Sequence, residues 1–120
     1  MSNSYAAGQS DVRPWGDWTV LDVGPGYVVK RLRVIPGGIL SLQRHRHRAE
    51  EWTVVTGVAR VTLGECQFDL SPGQSAHIGV GDVHRITNGG TEDVVLIEVQ
   101  TGPILSEDDI ERLADDYGRS

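Results

Sequence analysis

Between Trp15 and Gln100 the chain is built from short runs rich in Val, Ile, Leu, Trp and Thr, broken at close intervals by turn formers. The breaks are "GPG" at 24–26, "PGG" at 36–38, Gly57, "LGE" at 63–65, "SPGQ" at 71–74, "GVGD" at 79–82 and "NGG" at 88–90. Strands of this length and spacing predict an all-β sandwich or barrel. The tail departs from the pattern. In "SEDDIERLADDYG", Ser106 precedes Asp109 by three residues, as in a capping box, and Ile110, Leu113 and Tyr117 fall near helical spacing. These features predict a short C-terminal helix. Residues 1–12 are small and polar and read as a flexible N-terminal arm, leaving 13–120 as one domain.

Within the strands, polar residues occupy positions that alternation assigns to an apolar face. Lys30 shares a face with Val28, Leu32 and Val34, and Glu98 alternates with Leu96 and Gln100. Such a lysine has either an anionic partner and a task, or a buried stem and an ammonium in water. In "LSLQRHRHRAEEW", Ser41, Gln43, His45 and His47 point one way, while Leu40, Leu42, Arg44 and Arg46 point the other. Two histidines two apart on a strand, a carboxylate four residues later at Glu51, and a third histidine at His84 give three nitrogens and one carboxylate. That donor set suits a divalent cation and leaves positions open for water or substrate. Glu50 is the competing carboxylate, and His77 reads as an ordinary strand residue.

Composition narrows the function. Hydrophobic residues make up 38% and charged residues 23%, which suits a globular chain and not a disordered one. The net charge of −6 argues against a nucleic-acid surface. No apolar run reaches membrane-spanning length, and the start lacks signal-peptide features, so the expected setting is cytoplasmic with no membrane partner. The single cysteine, Cys66, has no internal disulfide partner.

Two motifs resemble those of the cupins. The first is a glycine-rich turn, H-x-H, a short spacer, E and a glycine, here "PGGILSLQRHRHRAEEWTVVTG". The second runs through Gly73, Gly79 (where proline is usual), Gly81, His84 and Asn88. The resemblance implies a double-stranded β-helix, or jelly-roll, barrel with a metal inside one end. A narrower resemblance covers nearly the whole chain. "RPWG", "YVVKRLRVIPG", "LSLQRHRHRAEEW", "HRITN", "IEVQTG" and "SEDDIERLADDYGR" are similar, in matching order, to the type II mannose-6-phosphate isomerase domain. Members commonly read "HRAEHW", with histidine at the position of Glu51. In many relatives the domain is the C-terminal part of a bifunctional mannose-1-phosphate guanylyltransferase, and this chain reads as a stand-alone version.

The resemblance implies interconversion of mannose 6-phosphate and fructose 6-phosphate through an enediol, with His45, His47, Glu51 and His84 holding the ion. Zn is the first expectation, with Fe, Mn, Co or Ni as others. Lys30, Glu98 and Arg48 are the catalytic candidates. Gln43, Lys30 and Arg119 are the substrate-binding ones, Gln43 alternatively serving as a ligand to the metal. Arg48 either reaches a phosphate or pairs with Glu50. Two other readings share the scaffold: a metal- and ligand-binding cupin without catalysis, and another cupin enzyme such as an iron dioxygenase. A homodimer is expected, with Leu40 and Leu42 suited to the interface, and Trp15 and Trp18 capping the barrel or the dimer seam, with stacking on a sugar ring as the alternative.

Overall fold

The structure is a computed structural model and describes residues 2–118. Its strands are β1 (Ser2–Asn3), β2 (Ser10–Arg13), β3 (Gly16–Gly24), β4 (Tyr27–Val34), β5 (Leu42–Arg44), β6 (Ala49–Thr56), β7 (Ala59–Leu63), β8 (Cys66–Leu70), β9 (Ser75–Ile78), β10 (His84–Thr87), β11 (Val94–Thr101), β12 (Ile104–Leu105) and β13 (Glu111–Ala114). They form a six-stranded sheet of order β2-β3-β4-β11-β6-β9, a five-stranded sheet of order β13-β5-β10-β7-β8, and a parallel β1-β12 pair. The fold is all-β, as the turn-punctuated runs predict.

Period-two alternation explains the core. Val28, Leu32 and Val34 on β4, Val94 and Leu96 on β11, and Trp52 and Val54 on β6 turn inward and meet Val61, Leu70 and Ile86 from the other sheet. Each such side chain stabilises the fold by roughly 1.5–3 kcal/mol on burial. Polar residues in phase with them are carried inside as well. Lys30, Glu98 and Trp52 lie opposite one another on β4, β11 and β6, and Gln100 lies opposite Glu50. On the five-stranded sheet, Arg112, Gln43 and His84 share a row across β13, β5 and β10.

Two expectations are corrected. The predicted C-terminal helix is absent, and the described residues contain no helix at all, hence none able to cross a membrane. Ser106 accepts the Asp108 N–H at its hydroxyl (3.1 Å) and the Asp109 N–H at its carbonyl (3.2 Å), closing a turn. The chain then pairs with the open edge of β5 as β13, with Glu111 bidentate to Arg44. An isolated helix this short is marginal in water, whereas an open strand edge offers unpaired backbone groups, and the edge wins. The N-terminal residues are not a loose arm: β1 and β2 pair with β12 and β3, and Tyr5 is buried in the core between them.

Candidate metal centre and cleft

Strand alternation does not run through the histidine segment. After β5 the chain bends, and Asp109 accepts two consecutive backbone N–H groups, Arg46 at 2.8 Å and His47 at 2.9 Å. Consecutive N–H groups of a straight strand point to opposite sides, so one carboxylate can take both only where the strand is broken. Gly102 permits close packing there, since a Cβ at that position would lie 2.2 Å from the His47 carbonyl oxygen. Residues 46 and 47 therefore face solvent, and the inward sequence becomes His45, Arg48, Glu50, Trp52.

The structure thus gathers His45, Glu50 and His84, all buried, with ligand atoms within 4.8 Å of one another. The His45 and His84 Nε2 atoms stand 3.2 Å apart, and Glu50 oxygens lie 3.3 Å and 3.7 Å from them. His47 and Glu51, expected as ligands, lie outside this cluster. His47 is turned outward by the bend, and Glu51 points away from the core and pairs with His77 on the outer face, both half exposed or more. Glu50 takes the place expected of Glu51. The signal was present in the chain: Trp52 and Val54 mark the apolar face of β6, and Glu50 is in phase with them.

The donor chemistry fits a divalent cation. The His45 Nδ1 lies 2.6 Å from the Asp109 carbonyl oxygen and the His84 Nδ1 lies 2.8 Å from that of Asp82. A carbonyl only accepts, so each Nδ1 carries the hydrogen and each Nε2 presents a lone pair. Two lone pairs and a carboxylate thus converge on one point, with the Arg48 guanidinium beside them (Nη2 3.5 Å from His45 Nε2), and the set suits a divalent cation. Burial and the neighbouring Arg48 and His84 push the His45 pKa down to about 4, and burial lowers that of His84. Both rings are the neutral imidazoles that metal binding needs.

Around the cluster runs a network of buried charge. Arg48 donates from Nε to Glu50 (2.9 Å) and from Nη1 to the Ser106 carbonyl (3.0 Å). The Trp52 indole donates to Glu50 (3.2 Å) and to Glu98 (3.1 Å). Gln100 donates to the other oxygen of Glu98 at 2.9 Å. Burial, followed by the negative charge of Glu50, pushes the Glu98 pKa up to about 7. Two carboxylates this close in a low-dielectric site do not readily both ionise. Lys30 does not snorkel: its ammonium is buried 2.7 Å from Glu107 and lies over the Trp18 ring at 4.2 Å and the Tyr5 ring at 4.6 Å. Tyr5 in turn hydrogen-bonds Glu107.

Lys30, Arg48, Glu50, Trp52, His84, Glu98 and Glu107 border a cleft of about 90 Å³ between the two sheets. Trp15, Trp18 and Gln43 line it, and Gln43 sits beside the cluster hydrogen-bonded to Ser41. Leu40 is buried at the cleft wall and is unavailable to an interface. Five cations (Arg13, Lys30, Arg48, Arg85, Arg112) and three carboxylates (Glu50, Glu98, Glu107) line it, with Arg13 also paired to Asp11 at 2.8 Å and Arg85 to Asp116 at 3.3 Å outside it. The Nε of Arg112 and the indole N–H of Trp18 are buried donors without a protein partner. Tyr5, Glu107, Asp109 and Arg112 were not legible as site residues, because the segments that carry them read as an arm and a helix. Arg119, a substrate-binding candidate, lies outside the described residues.

The family described as "Mannose-6-phosphate isomerase C-terminal" matches residues 2–115. The chain is 52% identical over 108 residues to the alginate biosynthesis protein AlgA of Pseudomonas syringae pv. tomato, covering 90% of this chain and 22% of that one. It is 46% identical over 127 residues to the xanthan biosynthesis protein XanB of Xanthomonas campestris pv. campestris, covering 100% and 27%. A mannose-1-phosphate guanylyltransferase of Escherichia coli K12 is 47% identical over 108 residues, covering 89% and 22%. The chain therefore spans about a quarter of the length of these curated relatives. Among solved structures, the capsular polysaccharide assembling protein CapF of Staphylococcus aureus superposes with a TM-score of 0.79 at 21% identity, over 89% of this chain and 34% of CapF. The Schizosaccharomyces pombe Cnp3 cupin domain superposes with a TM-score of 0.69 at 17% identity, over 72% and 64%. At such identities these two establish the cupin fold alone.

Proposed function

The chain belongs to the mannose-6-phosphate isomerase C-terminal family, and on that premise we propose that it is a metal-dependent aldose–ketose isomerase acting on mannose 6-phosphate and fructose 6-phosphate. The observation that carries the reading is one cleft joining a His45–Glu50–His84 donor set, a carboxyl group poised near neutrality at Glu98, and an excess of cations. Each answers one demand of the reaction: a Lewis acid, a proton carrier between C1 and C2, and a counter-charge for phosphate.

His45, Glu50 and His84 are the groups that hold the ion, with zinc first among the divalent metals for two imidazoles and a carboxylate. Bound there, it supplies polarisation of the sugar carbonyl and charge stabilisation for an enediolate. Glu98 is the proton carrier. With its pKa near 7 it can both accept a proton from carbon and return one, and Trp52 and Gln100 fix its two oxygens. Arg48 orients Glu50 and is therefore a positioning group, while Lys30 supplies positive charge beside Glu98. Arg112, with its unpartnered Nε, and Arg13 are cations for the phosphate, and Gln43 and Trp18 are hydrogen-bond donors facing the sugar.

Glu51 does not disturb this reading, because it lies on the outer face. The test is a coupled assay of mannose 6-phosphate isomerisation after reconstitution with Zn, Co, Mn or Fe(II). Turnover that Glu98→Gln reduces by at least about 100-fold supports the assignment, at the scale of general acid–base catalysis. Metal binding without turnover for any ion rejects it in favour of a non-catalytic cupin, and oxygen consumption with Fe(II) rejects it in favour of a dioxygenase.

A further inference from the structure

We propose that Asp109 is the positioning residue of the metal centre: its carboxylate folds the His45–His47 bend, and its backbone carbonyl fixes the His45 ring with Nε2 toward the ion. This rests on the metal-binding part of the functional reading and adds a residue whose segment, read as a helix cap, carries no sign of a metal site. Three contacts meet at this one residue. The two carboxylate oxygens take the N–H groups of Arg46 and His47, at 2.8 Å and 2.9 Å, and the carbonyl lies 2.6 Å from His45 Nδ1. The side chain therefore sets the backbone that carries the ligand, and the main chain of the same residue sets the ligand's tautomer. Neither role duplicates the other.

Asp109 is itself held on both sides. Two residues earlier, Glu107 is anchored to buried Lys30 at 2.7 Å; two residues later, Glu111 is bidentate to Arg44 at 2.9 Å and 3.0 Å. Ser106 accepts from Arg48, the group that orients Glu50. The segment 106–111 thus ties into the cluster through both His45 and the partner of Glu50, so it behaves as a rigid brace and not as a passing loop. A partner that fixes ring orientation through the non-ligating nitrogen sets imidazole basicity and metal affinity, and its loss commonly costs about 10- to 100-fold in affinity.

The experiment compares wild type with Asp109→Ala and Asp109→Asn, using Glu51→Gln as a surface control. Asn keeps one acceptor oxygen and so retains one of the two N–H bonds, providing a milder variant should Ala not fold. The first readout needs no metal: long-range nitrogen–proton spectra of the His45 ring in the metal-free protein. Wild type is expected to show one Nδ1–H tautomer, and the variants a mixture with Asn between Ala and wild type, because releasing the Arg46 and His47 N–H groups lets the bend that carries His45 move away from the Asp109 carbonyl. The second readout is Co(II) affinity with its visible d–d spectrum, expected to weaken about 10- to 100-fold in Asp109→Ala with an altered band shape, and to stay unchanged in Glu51→Gln. A single wild-type tautomer and unchanged Co(II) affinity and spectrum in the folded variants would overturn the proposal. Should wild type bind no Co(II), the metal reading fails, while the tautomer comparison still decides whether Asp109 positions His45.

Discussion

Glu50 and Glu51 are adjacent, chemically identical and opposite in consequence, which makes them the sharpest test of the site. Glu50 is 2% exposed, accepts from Arg48 and Trp52, and lies 3.3 Å from His45 Nε2; the Glu51 side chain is 52% exposed and faces solvent beside His77. Glu50→Gln keeps the shape but removes the charge opposite a buried guanidinium. Breaking one side of a buried ion pair costs about 3–5 kcal/mol, because the remaining charge stays desolvated. Here part of that is returned, since removing Glu50 also relieves its repulsion with Glu98, so we expect a loss of about 2–4 kcal/mol. Glu51→Gln should stay within about 0.5 kcal/mol of wild type, as surface substitutions do. Urea unfolding of the metal-free proteins, followed by calorimetric titration with Zn(II), reads both effects. Zn(II) affinity should fall by more than about 100-fold in Glu50→Gln, which loses an anionic ligand, and hold in Glu51→Gln. Equal losses in the two variants, or a neutral Glu50→Gln, would refute the assignment of the inward face.

Other consequences are open to simple measurement. In metal-free protein, His45 titrates near 4 when folded against about 6.5 when unfolded, so the unfolded chain binds the extra proton between these values and stability rises with pH there. Glu98 does the reverse: raised to about 7, it holds a proton in the folded state that the unfolded chain releases, and stability falls as pH climbs from about 4.5 to 7. Glu98→Gln should remove the second effect, so its stability should climb more steeply between pH 5 and 7 by up to about 3 kcal/mol, and a slope unchanged from wild type would count against a neutral Glu98. Zn(II) at 100 times its Kd should stabilise by about 2.7 kcal/mol, seen as a Tm rise of roughly 10 °C, and no rise would mean that the folded state does not prefer the ion. Gly102→Ala should cost about 1–3 kcal/mol and weaken Zn(II) binding as well, because its Cβ would press on the His47 carbonyl and shift the bend that presents His45; unaltered binding in this variant would show that the bend tolerates movement.

Much of the fold and part of the candidate site follow from the chain read residue by residue. Turn formers between β-rich runs are local signals, and two-residue periodicity is intrinsic to an extended backbone, so the all-β class and the inward placement of Lys30 and Glu98 needed no tertiary knowledge. His45 and His84 were legible for the same reason, with a motif to join them. Three things belong to the tertiary structure alone. The bend at 46–47 breaks the two-residue period because a carboxylate distant in the chain captures two neighbouring N–H groups, which swaps Glu51 for Glu50 and turns His47 out. The tail is a strand because β5 presents an open edge, an energy no local propensity registers. Tyr5, Glu107, Asp109 and Arg112 reach the site from the two chain ends only once both are paired to the sheets. Local pattern sets which way a side chain points along an unbroken strand, whereas long-range hydrogen bonds decide where that strand breaks, and the metal centre sits at the break.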